Sequence, residues 1–353
     1  MKDSIPVIVL GGSGYVAGEL LRLIATHPRL NLGAAVSTSK AGEPIAASFG
    51  HLATVYPDDV FVSADDITDQ LGASKQWVII SAAPHGASAN LVDSLLVAAE
   101  ASDVRATVVD ASADFRYADA SSFETIYEQP HQAPQRLSSF SCAVPEHLKN
   151  IDTPHAAQPG CFATAMLLGI VPLVANNLSE PRFFVSAVTG STGAGRTPRE
   201  TTHHPLRQSN VFAYKPLSHR HQPEVKTLVH NATGKEAQLH FMPQSGPFAR
   251  GIYATIFAPR ATDVTEDQAH DTLTKFYADS AFVSVANAPP RLKDIVGTNN
   301  AILSVNVDTD SIVVCCVLDN LVKGAAGGAI QWVNRLLKWP ETEGLIVAPA
   351  GWI

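Results

Sequence analysis

The segment QPGCFAT at 158–164 holds the side chain best suited to nucleophilic chemistry, Cys161. A Pro-Gly turn precedes the cysteine, and the apolar run Phe162–Val174 that follows it has the length and composition of a helix. The N-terminus of a helix lowers the pKa of a thiol, and its free N–H groups can stabilise an oxyanion. The sequence therefore predicts a reactive thiolate at a helix N-terminus. The other three cysteines are predicted to be small core residues: Cys142, Cys315 and Cys316.

A thiolate nucleophile needs a proton donor or acceptor nearby, and the densest titratable cluster is SHRHQPE at 218–224. This cluster offers His219, His221 and Glu224 as catalytic candidates. It lies far along the chain from the cysteine, so only the fold can bring the two together. Spacing alone does not distinguish the two histidines as the acid/base group. A metal site is the rival interpretation, but no further Cys or His is placed to complete one, so we expect no metal.

A glycine-rich loop, GGSGYVAG at 11–18, follows an apolar run and opens a helical pattern. A strand, a glycine turn and a helix in this order can bind the pyrophosphate of a dinucleotide at the helix N-terminus. Ala17 stands where a third glycine would complete the spacing. The predicted cofactor contacts in this loop are Gly11, Gly12, Ser13, Gly14, Tyr15 and Val16.

The end of the second predicted strand bears on which dinucleotide is bound. An NAD site usually has a carboxylate there for the ribose 2′-hydroxyl, and residues 36–40 contain neither Asp nor Glu. The hydroxyl groups of Ser37 and Ser39, together with Lys40, suit a 2′-phosphate instead. The sequence therefore favours NADP(H).

A third loop, TGSTGAGR at 189–196, can bind an anion through its amides, its hydroxyl groups and a guanidinium. Ser191 and Arg196 are the side chains expected to do so. The alternative is a flexible hairpin loop with no ligand.

Two kinds of domain are predicted to position these residues. In the first half, short apolar runs alternate with helical patterns, which is typical of a parallel sheet covered on both faces. These runs are Ile5–Leu10, Leu32–Thr38, Trp77–Ala82 and Ala106–Asp110, with helices near 19–24 and 87–100. The second half contains longer β-rich runs that suit a largely antiparallel sheet: Phe183–Val188, Gln238–Met242, Gly251–Ala258, Ala301–Val307 and Ile312–Leu318.

The predicted fold class is therefore α/β, with a Rossmann-type NADP-binding domain and an α+β catalytic and dimerisation domain. We place the cofactor domain at 1–155, completed by 321–353, and the catalytic domain at 156–320. Residues 115–155 are predicted to be irregular, and a final helix over 322–339 is predicted to return to the cofactor domain.

Composition excludes several classes of protein. Hydrophobic residues make up 46% of the 353 and charged residues 16%, so the chain is not disordered. The net charge is −8 without a run of Lys or Arg, so a nucleic acid or an anionic membrane is not an expected partner. No stretch approaches the ~18–20 apolar residues of a membrane span, and four cysteines are too few for a disulfide scaffold. We therefore expect a cytoplasmic protein.

Motifs spread over most of the chain resemble those of the N-acetyl-gamma-glutamyl-phosphate reductases of arginine biosynthesis. The most specific are PGCFAT at 159–164 and HRHQPE at 219–224, in this order. The others are GGSGYVAGELLRL (11–23), APHGAS (83–88), DASADFR (110–116), AVPEH (143–147), TGSTGAGR (189–196), ARGIYATIF (249–257), DNLVKGAAGGAIQ (319–331) and PETEGL (340–345). Aspartate-semialdehyde dehydrogenases share the glycine loop, the cysteine and the histidine, but differ around them.

The resemblance implies NADPH-dependent reduction of an acyl phosphate to an aldehyde through a thioester on Cys161. It also implies that a histidine of the HRH segment is the acid/base group, and we choose His219 with His221 as the rival. Arg116, Arg196 and Arg220 are the candidates for the anionic ends of the substrate. Further cofactor contacts are expected at Pro84, His85, Gly86, Gly193 and Asn320. The partners implied are a small acyl-phosphate substrate and further copies of the chain, as a dimer or tetramer.

Two alternatives remain open from the sequence. The first is a related semialdehyde dehydrogenase acting on another acyl phosphate, such as aspartyl phosphate or a carrier-linked aminoadipyl phosphate. The second is a catalytically silent NADP-binding regulator, which would be expected to have lost the cysteine or the histidine cluster. This chain retains both.

Overall fold

The computed structural model describes residues 4–351, so the outermost ends of the predicted cofactor domain, 1–3 and 352–353, lie outside the described residues. The described chain divides into two compact units. The first contains residues 4–142, 150–158 and 326–346. The second contains residues 143–149, 159–325 and 347–351.

Strands and helices are numbered here in chain order over the described residues. The strands are β1 (Ile5–Leu10), β2 (Leu30–Val36), β3 (Phe61–Val62), β4 (Gln76–Ser81), β5 (Arg105–Asp110), β6 (Phe140–Cys142), β7 (His155–Ala157), β8 (Arg182–Thr189), β9 (Phe212–Ala213), β10 (Gln238–Ser245), β11 (Ile252–Pro259), β12 (Val283–Val285), β13 (Ala301–Val307) and β14 (Ser311–Leu318). The helices are α1 (Tyr15–Thr26), α2 (Ile45–Ser48), α3 (Ala64–Gln70), α4 (Ser88–Ala101), α5 (Ala120–Tyr127), α6 (Cys161–Ala175), α7 (His204–Arg207), α8 (His221–Thr233), α9 (Glu266–Phe276) and α10 (Gly327–Leu336).

The first unit is built on a parallel sheet with the strand order β3-β2-β1-β4-β5-β7-β6. Its central strands are almost wholly buried, which explains their continuous apolar sequences. Because parallel strands end at the same edge, the loops that follow β1, β4 and β5 gather at one edge of the sheet. The predicted Rossmann-type sheet is confirmed.

The prediction of irregular chain over 115–155 is wrong in part. This stretch contains α5, whose N-terminus is capped by the Asp119 carboxylate, which accepts a hydrogen bond from the N–H of Ser122 at 2.8 Å. It also contains β6 and β7, which have three residues each. Strands this short have too few residues to show a periodic pattern. They are stabilised by joining an existing sheet rather than by a pattern of their own.

The second unit is built on a mixed sheet with the order β12-β13-β14-β11-β8-β10-β9. The β8–β10 and β12–β13 pairs are parallel and the other four are antiparallel, so the predicted largely antiparallel sheet is confirmed. Helices α6, α8 and α9 pack on one face. Residues on the other face of β8 and β10 alternate with the buried ones and are exposed.

Helix α6 positions the cysteine and is buried over nearly its whole length. Pro172 lies inside it and has no N–H to donate to the carbonyl group of Leu168. The hydroxyl group of Tyr277 donates to that carbonyl oxygen instead, at 2.6 Å. The proline is therefore accommodated because an aromatic side chain supplies the missing donor.

The predicted final helix over 322–339 is shorter and divided. A π-helical turn covers Val322–Ala326, and α10 continues only to Leu336. Within the first unit, α10 packs against α1, β5 and β7. The sequence of this run does not show where the helical hydrogen-bond pattern changes, which is why the π-turn is not predicted from it.

Candidate functional site

Cys161 is the first residue of α6 and is partly exposed, as predicted for a nucleophile at a helix N-terminus. Gly160 precedes it with extended backbone angles and without a capping side chain. The carbonyl oxygen of Gly160 accepts bonds from both the N–H and the hydroxyl group of Thr164, at 2.7 and 3.1 Å. These bonds fix the first turn, so the thiol is held at the end where the helix field stabilises negative charge.

The HRH segment lies directly beside this turn. Oε1 of the fully buried Glu224 accepts a hydrogen bond from the N–H of Gly160 at 2.7 Å. A Cβ atom at Gly160 would lie 2.2 Å from Nε2 of His221. The imidazole of His221 therefore occupies the space that any side chain at position 160 would need, which explains the glycine before the cysteine.

The two candidate histidines differ in hydrogen bonding. Nδ1 of His219 accepts a bond from the backbone N–H of His221 at 3.1 Å, so a neutral His219 carries its proton on Nε2. Burial, with the nearby charges of Arg220 and Lys215, lowers the pKa of His219 to about 4. His219 is therefore neutral near pH 7 and can only donate from Nε2.

A second segment closes on the cysteine from another side. A Cβ atom at Gly324 would lie 2.7 Å from Cβ of Cys161, so the π-helical turn packs directly against this cysteine. The neighbouring Lys323 is completely buried and forms a 2.5 Å ion pair with Glu146, which is itself 3% exposed. This pair ties the π-turn to the segment that contains Glu146.

A pocket of about 400 Å³ opens next to the histidines in the second unit. Its lining includes the candidates His219, Arg220 and Gly193. The other lining residues are Thr189, Ala194, Arg199, Thr201, Thr202, Arg207, Phe212, Tyr214, Lys215 and Ser245. No carboxylate lines this pocket, so it is suited to an anionic ligand.

The predicted substrate-binding residues do not all line this pocket. Ser191 starts a short 3-10 turn and is partly buried, and Arg196 is exposed and lies outside the lining. Arg116 belongs to the first unit, where it is buried and donates from Nε to the carbonyl oxygen of Gln158 at 3.1 Å. Arg220 alone of these four lies in the pocket wall.

In the first unit, the glycine loop has the geometry of a dinucleotide cradle. Gly11 has a φ of +72°, and a Cβ atom there would lie 2.5 Å from the carbonyl oxygen of Ala82. Gly14 is the N-cap of α1 and supplies no capping side chain, so a phosphate can occupy the capping position. Ser13 lies in the turn between β1 and α1, Tyr15 and Val16 begin α1, and the loop fits the pyrophosphate of NADP(H).

The residues expected at the 2′-phosphate lie at the end of β2. The hydroxyl groups of Ser13 and Ser37 are 3.2 Å apart, which connects the glycine loop to this strand end. Lys40 forms a 2.6 Å ion pair with Glu43, and both side chains are substantially exposed. An exposed pair of this kind contributes little free energy, so Lys40 can exchange its partner for a phosphate. Ser39 is exposed beside it.

A buried carboxylate pair supports the loop that carries Pro84, His85 and Gly86. The Asp114 carboxylate accepts hydrogen bonds from the N–H groups of Gly86 and Ala89, at 2.9 Å each. Nδ1 of His85 lies 3.0 Å from the hydroxyl group of Ser112. Burial and the charge of Asp114 raise the pKa of its neighbour Asp110. The DASADFR motif therefore positions a predicted cofactor loop.

Asn320, a predicted cofactor contact, lies in the second unit and has structural partners there. Its Oδ1 accepts a bond from the N–H of Gly251 at 2.7 Å, and its Nδ2 donates to the hydroxyl group of Thr192 at 3.0 Å. These bonds connect the 189–196 loop to β11. Asn320 thus shapes the loop that holds Ser191 and Gly193.

Sequence reasoning missed several pocket residues: Arg199, Arg207, Tyr214 and Lys215. They lie in a polar stretch with weak periodicity, where only the excess of cations between the two recognised motifs was available as a signal.

Within residues 4–351, no group of three or more His, Cys, Asp or Glu side chains is arranged to hold a metal ion. Over the same residues, no helix is both long and apolar enough to cross a membrane.

Two family models match the chain. The semialdehyde dehydrogenase NAD-binding domain matches residues 6–178, and the semialdehyde dehydrogenase dimerisation domain matches residues 161–320. The chain is 15% identical to aspartate semialdehyde dehydrogenase II of Vibrio cholerae, with a TM-score of 0.69 over 96% of this chain and 99% of that one. Aspartate semialdehyde dehydrogenase of Candida albicans, solved with NADP, is 14% identical with a TM-score of 0.66, over 95% and 99%. These likenesses establish the fold.

Curated relatives are much more similar in sequence. A protein of Pseudomonas aeruginosa is 36% identical over 97% of this chain and 98% of its own length. One of Methanosphaera stadtmanae is 35% identical over the same shares, and one of Rhodospirillum rubrum is 33% identical over 99% of both. All three carry the name N-acetyl-gamma-glutamyl-phosphate reductase. The chain belongs to the N-acetyl-gamma-glutamyl-phosphate reductase family, on the semialdehyde dehydrogenase fold.

Proposed function

We propose that this protein is an NADP-dependent oxidoreductase that reduces N-acetyl-gamma-glutamyl phosphate to N-acetylglutamate semialdehyde and releases phosphate. The observation that carries the proposal is Cys161 at the N-terminus of α6, with His221 packed against the preceding glycine. The substrate in this proposal is taken from the names of the relatives. The roles in each chemical step are argued from the residues of the site.

The reaction starts with removal of the thiol proton, and His221 is the proposed acceptor because it packs against the glycine that precedes Cys161. The thiolate of Cys161 attacks the acyl carbon, a C–S bond forms, and the bond from that carbon to the phosphate oxygen breaks. The proton held by His221 can pass to the departing phosphate. NADPH, when held at the glycine loop of residues 11–16, would supply a hydride to the thioester carbon. The resulting oxyanion expels the thiolate, which releases the aldehyde and restores Cys161.

The remaining predicted catalytic residues have distinct roles in this proposal. His219 donates from Nε2 to the substrate oxygen, since its Nδ1 is engaged by the backbone. Glu224 acts as a positioning residue, because its carboxylate binds the N–H of Gly160 rather than facing the pocket. Arg220, with Arg116, Ser191 and Arg196, remains a proposed contact for the anionic groups of the substrate.

We also propose that two copies of the chain associate through the open face of the second sheet, as the description of the matching dimerisation domain suggests. Phe184, Met242 and Phe257 are 40–50% exposed on this face. The ring of Phe184 stacks on His240 at 4.9 Å. An apolar patch of this kind on a sheet is typical of a homodimer interface. None of the four cysteines forms a disulfide, which supports a reducing location such as the cytoplasm.

The activity is tested in the reverse direction, as phosphate-dependent reduction of NADP by N-acetylglutamate semialdehyde. Cys161→Ser is expected to lower the rate at least about 10³-fold while NADP binding is retained, because the nucleophile is lost and the cofactor loop is unchanged. Cys142→Ser, at a cysteine of β6 that forms no disulfide, is the matched control and should keep the rate of the wild type. A panel including aspartate semialdehyde decides between related substrates, and an inactive wild type would refute the proposal.

A further inference from the structure

The pocket beside the histidines contains one cation whose surroundings are unusual. Arg207 is the last residue of α7, lines the pocket and is only 9% exposed. Its Nη1 donates to the hydroxyl group of Ser245 at 2.5 Å, and its Nη2 donates to the carbonyl oxygens of Gly246 and Phe248. All three acceptors are uncharged.

Among the residues that the structure describes, no carboxylate pairs with the guanidinium of Arg207; its Cζ lies 5.9 Å from the centroid of the Phe212 ring. Its Nε is buried and has no acceptor within residues 4–351. Burial lowers the pKa of Arg207, which reflects the cost of holding the charge away from water. Buried charges are normally paired, and arginine in particular suits a planar carboxylate.

The location of Arg207 indicates which group of the substrate it meets. The acyl phosphate group must lie at Cys161, because that carbon is the one attacked. The ring of Tyr214 lies 5.7 Å from that of His219, which in turn lies 5.8 Å from the ring of Phe162, the residue after Cys161. Tyr214, His219 and Arg207 all line the pocket, so the pocket begins near Cys161 and extends to Arg207. The other anionic end of the proposed substrate is its α-carboxylate, which is separated from the reacting carbon by three carbons.

We propose that Arg207 binds the α-carboxylate of the acyl substrate and so selects amino-acid-derived acyl phosphates over acyl chains that lack this group. The inference rests on the proposed function and deepens it. The carboxylate supplies the negative charge that the pocket wall lacks, through a charge-assisted hydrogen bond. Arg207 therefore acts as a specificity-determining residue rather than as part of the acid/base machinery.

The test compares two aldehydes that differ only in this group. N-acetylglutamate semialdehyde carries the carboxylate, and 4-acetamidobutanal has a hydrogen atom in its place. We expect the wild type to prefer the first by about 10²-fold in kcat/KM, because a site built for a polar group rejects an analogue that leaves it unpaired. Arg207→Met should reduce that preference at least about tenfold, mainly through KM, with the rate on 4-acetamidobutanal nearly unchanged.

Two further variants separate recognition from structure. Arg207→Lys keeps the charge but loses the planar guanidinium that can bind a carboxylate through two N–H groups. This variant should retain part of the preference for the carboxylate-bearing aldehyde even if Arg207→Met does not fold. Arg260→Met removes a guanidinium that also donates to backbone carbonyls but does not line the pocket, and should leave the preference intact.

The outcomes separate the inference from the proposed function. An equal loss on both aldehydes in the Arg207 variants would assign Arg207 a structural role and overturn the inference. A wild type that is active without preferring the carboxylate would overturn the inference alone. A wild type inactive on both aldehydes would overturn the proposed function, and the inference with it.

Discussion

His219 and His221 are two residues apart and have different protonation chemistry because of one backbone hydrogen bond. The N–H of His221 donates to Nδ1 of His219, which leaves His219 a donor at Nε2. With its pKa lowered to about 4 by burial, His219 loses its charge well below the pH at which a reductase works. We therefore propose His221, which packs on Gly160, as the group that exchanges protons with Cys161.

This division predicts which histidine controls the pH profile. His219 is protonated only as the pH falls toward 4, so it contributes no change in rate between about pH 5 and 8. We expect His219→Gln to lower kcat about 10-fold to 10²-fold and to keep the shape of the profile, since glutamine still donates. His221→Gln should lower kcat about 10²-fold to 10⁴-fold and remove any limb in this range. The opposite pattern would make His219 the acid/base group.

The residue types of this site were readable from the sequence, but their division of labour was not. Cys161 could be assigned because a cysteine after a Pro-Gly turn and before an apolar run has few other interpretations. The roles of the two histidines depend on a hydrogen bond at 3.1 Å that spacing does not encode. Glu224 is similar, because only the fold shows that its carboxylate binds the N–H of Gly160.

At the scale of elements, the proposed nucleophile Cys161 is held by three segments of the second unit: the N-terminus of α6, the start of α8 and the π-helical turn. His221 packs closely on Gly160, the residue before the cysteine, and Gly324 packs closely on Cys161 itself. The Lys323–Glu146 pair fixes the π-turn from behind and is almost completely buried. Removing one partner of a buried ion pair lowers the stability of a protein much more than removing both partners.

We therefore predict that Lys323→Met destabilises the protein by about 3–5 kcal/mol, because the charge of Glu146 is left buried without its cation. The double variant with Glu146→Gln should recover much of this loss. The measurement is the free energy of unfolding in urea. Arg291→Ala breaks an exposed pair with Asp294 and serves as the control, with an expected cost below about 1 kcal/mol. A cost for Lys323→Met as small as that of the control would contradict this account.

Elements were predicted well where the pattern was long and apolar, as in β1, β4, β5 and α6. Elements were missed where they are stabilised by contacts with other segments rather than by the pattern of their own sequence. β6 and β7 exist because a parallel sheet already offers them an edge, and the π-turn exists because a buried ion pair and a close glycine contact hold it. Neither source of stability leaves a periodic signal in its own segment.

On the scale of the whole molecule, the protein carries a net charge of −8 and is proposed to bind a substrate and a cofactor that are both anionic. Electrostatic attraction of these ligands must therefore come from local groups of cations rather than from the net charge. For the substrate, the cation-lined pocket of the second unit provides this attraction. The surface also contains an apolar region that neither ligand explains, on the open face of the second sheet, where Phe184 and Phe257 are about half exposed.

The proposed dimer predicts that Phe184→Glu weakens self-association at least about tenfold, because a buried unpaired charge at an interface is strongly unfavourable. Val97→Glu, at a similarly exposed apolar residue of α4 in the first unit, is the control and should leave the assembly unchanged. Sedimentation equilibrium measures both dissociation constants. Equal behaviour of the two variants would argue against association through this face.

The central claim is that Cys161 forms a thioester with the acyl group of the substrate. Its most direct test is the intact mass of the protein after mixing with N-acetyl-gamma-glutamyl phosphate in the absence of NADPH. The account predicts one N-acetylglutamyl adduct per chain, located on Cys161, absent from Cys161→Ser and discharged as the aldehyde when NADPH is added. Turnover without an adduct on Cys161, or undiminished turnover by Cys161→Ser, would contradict it.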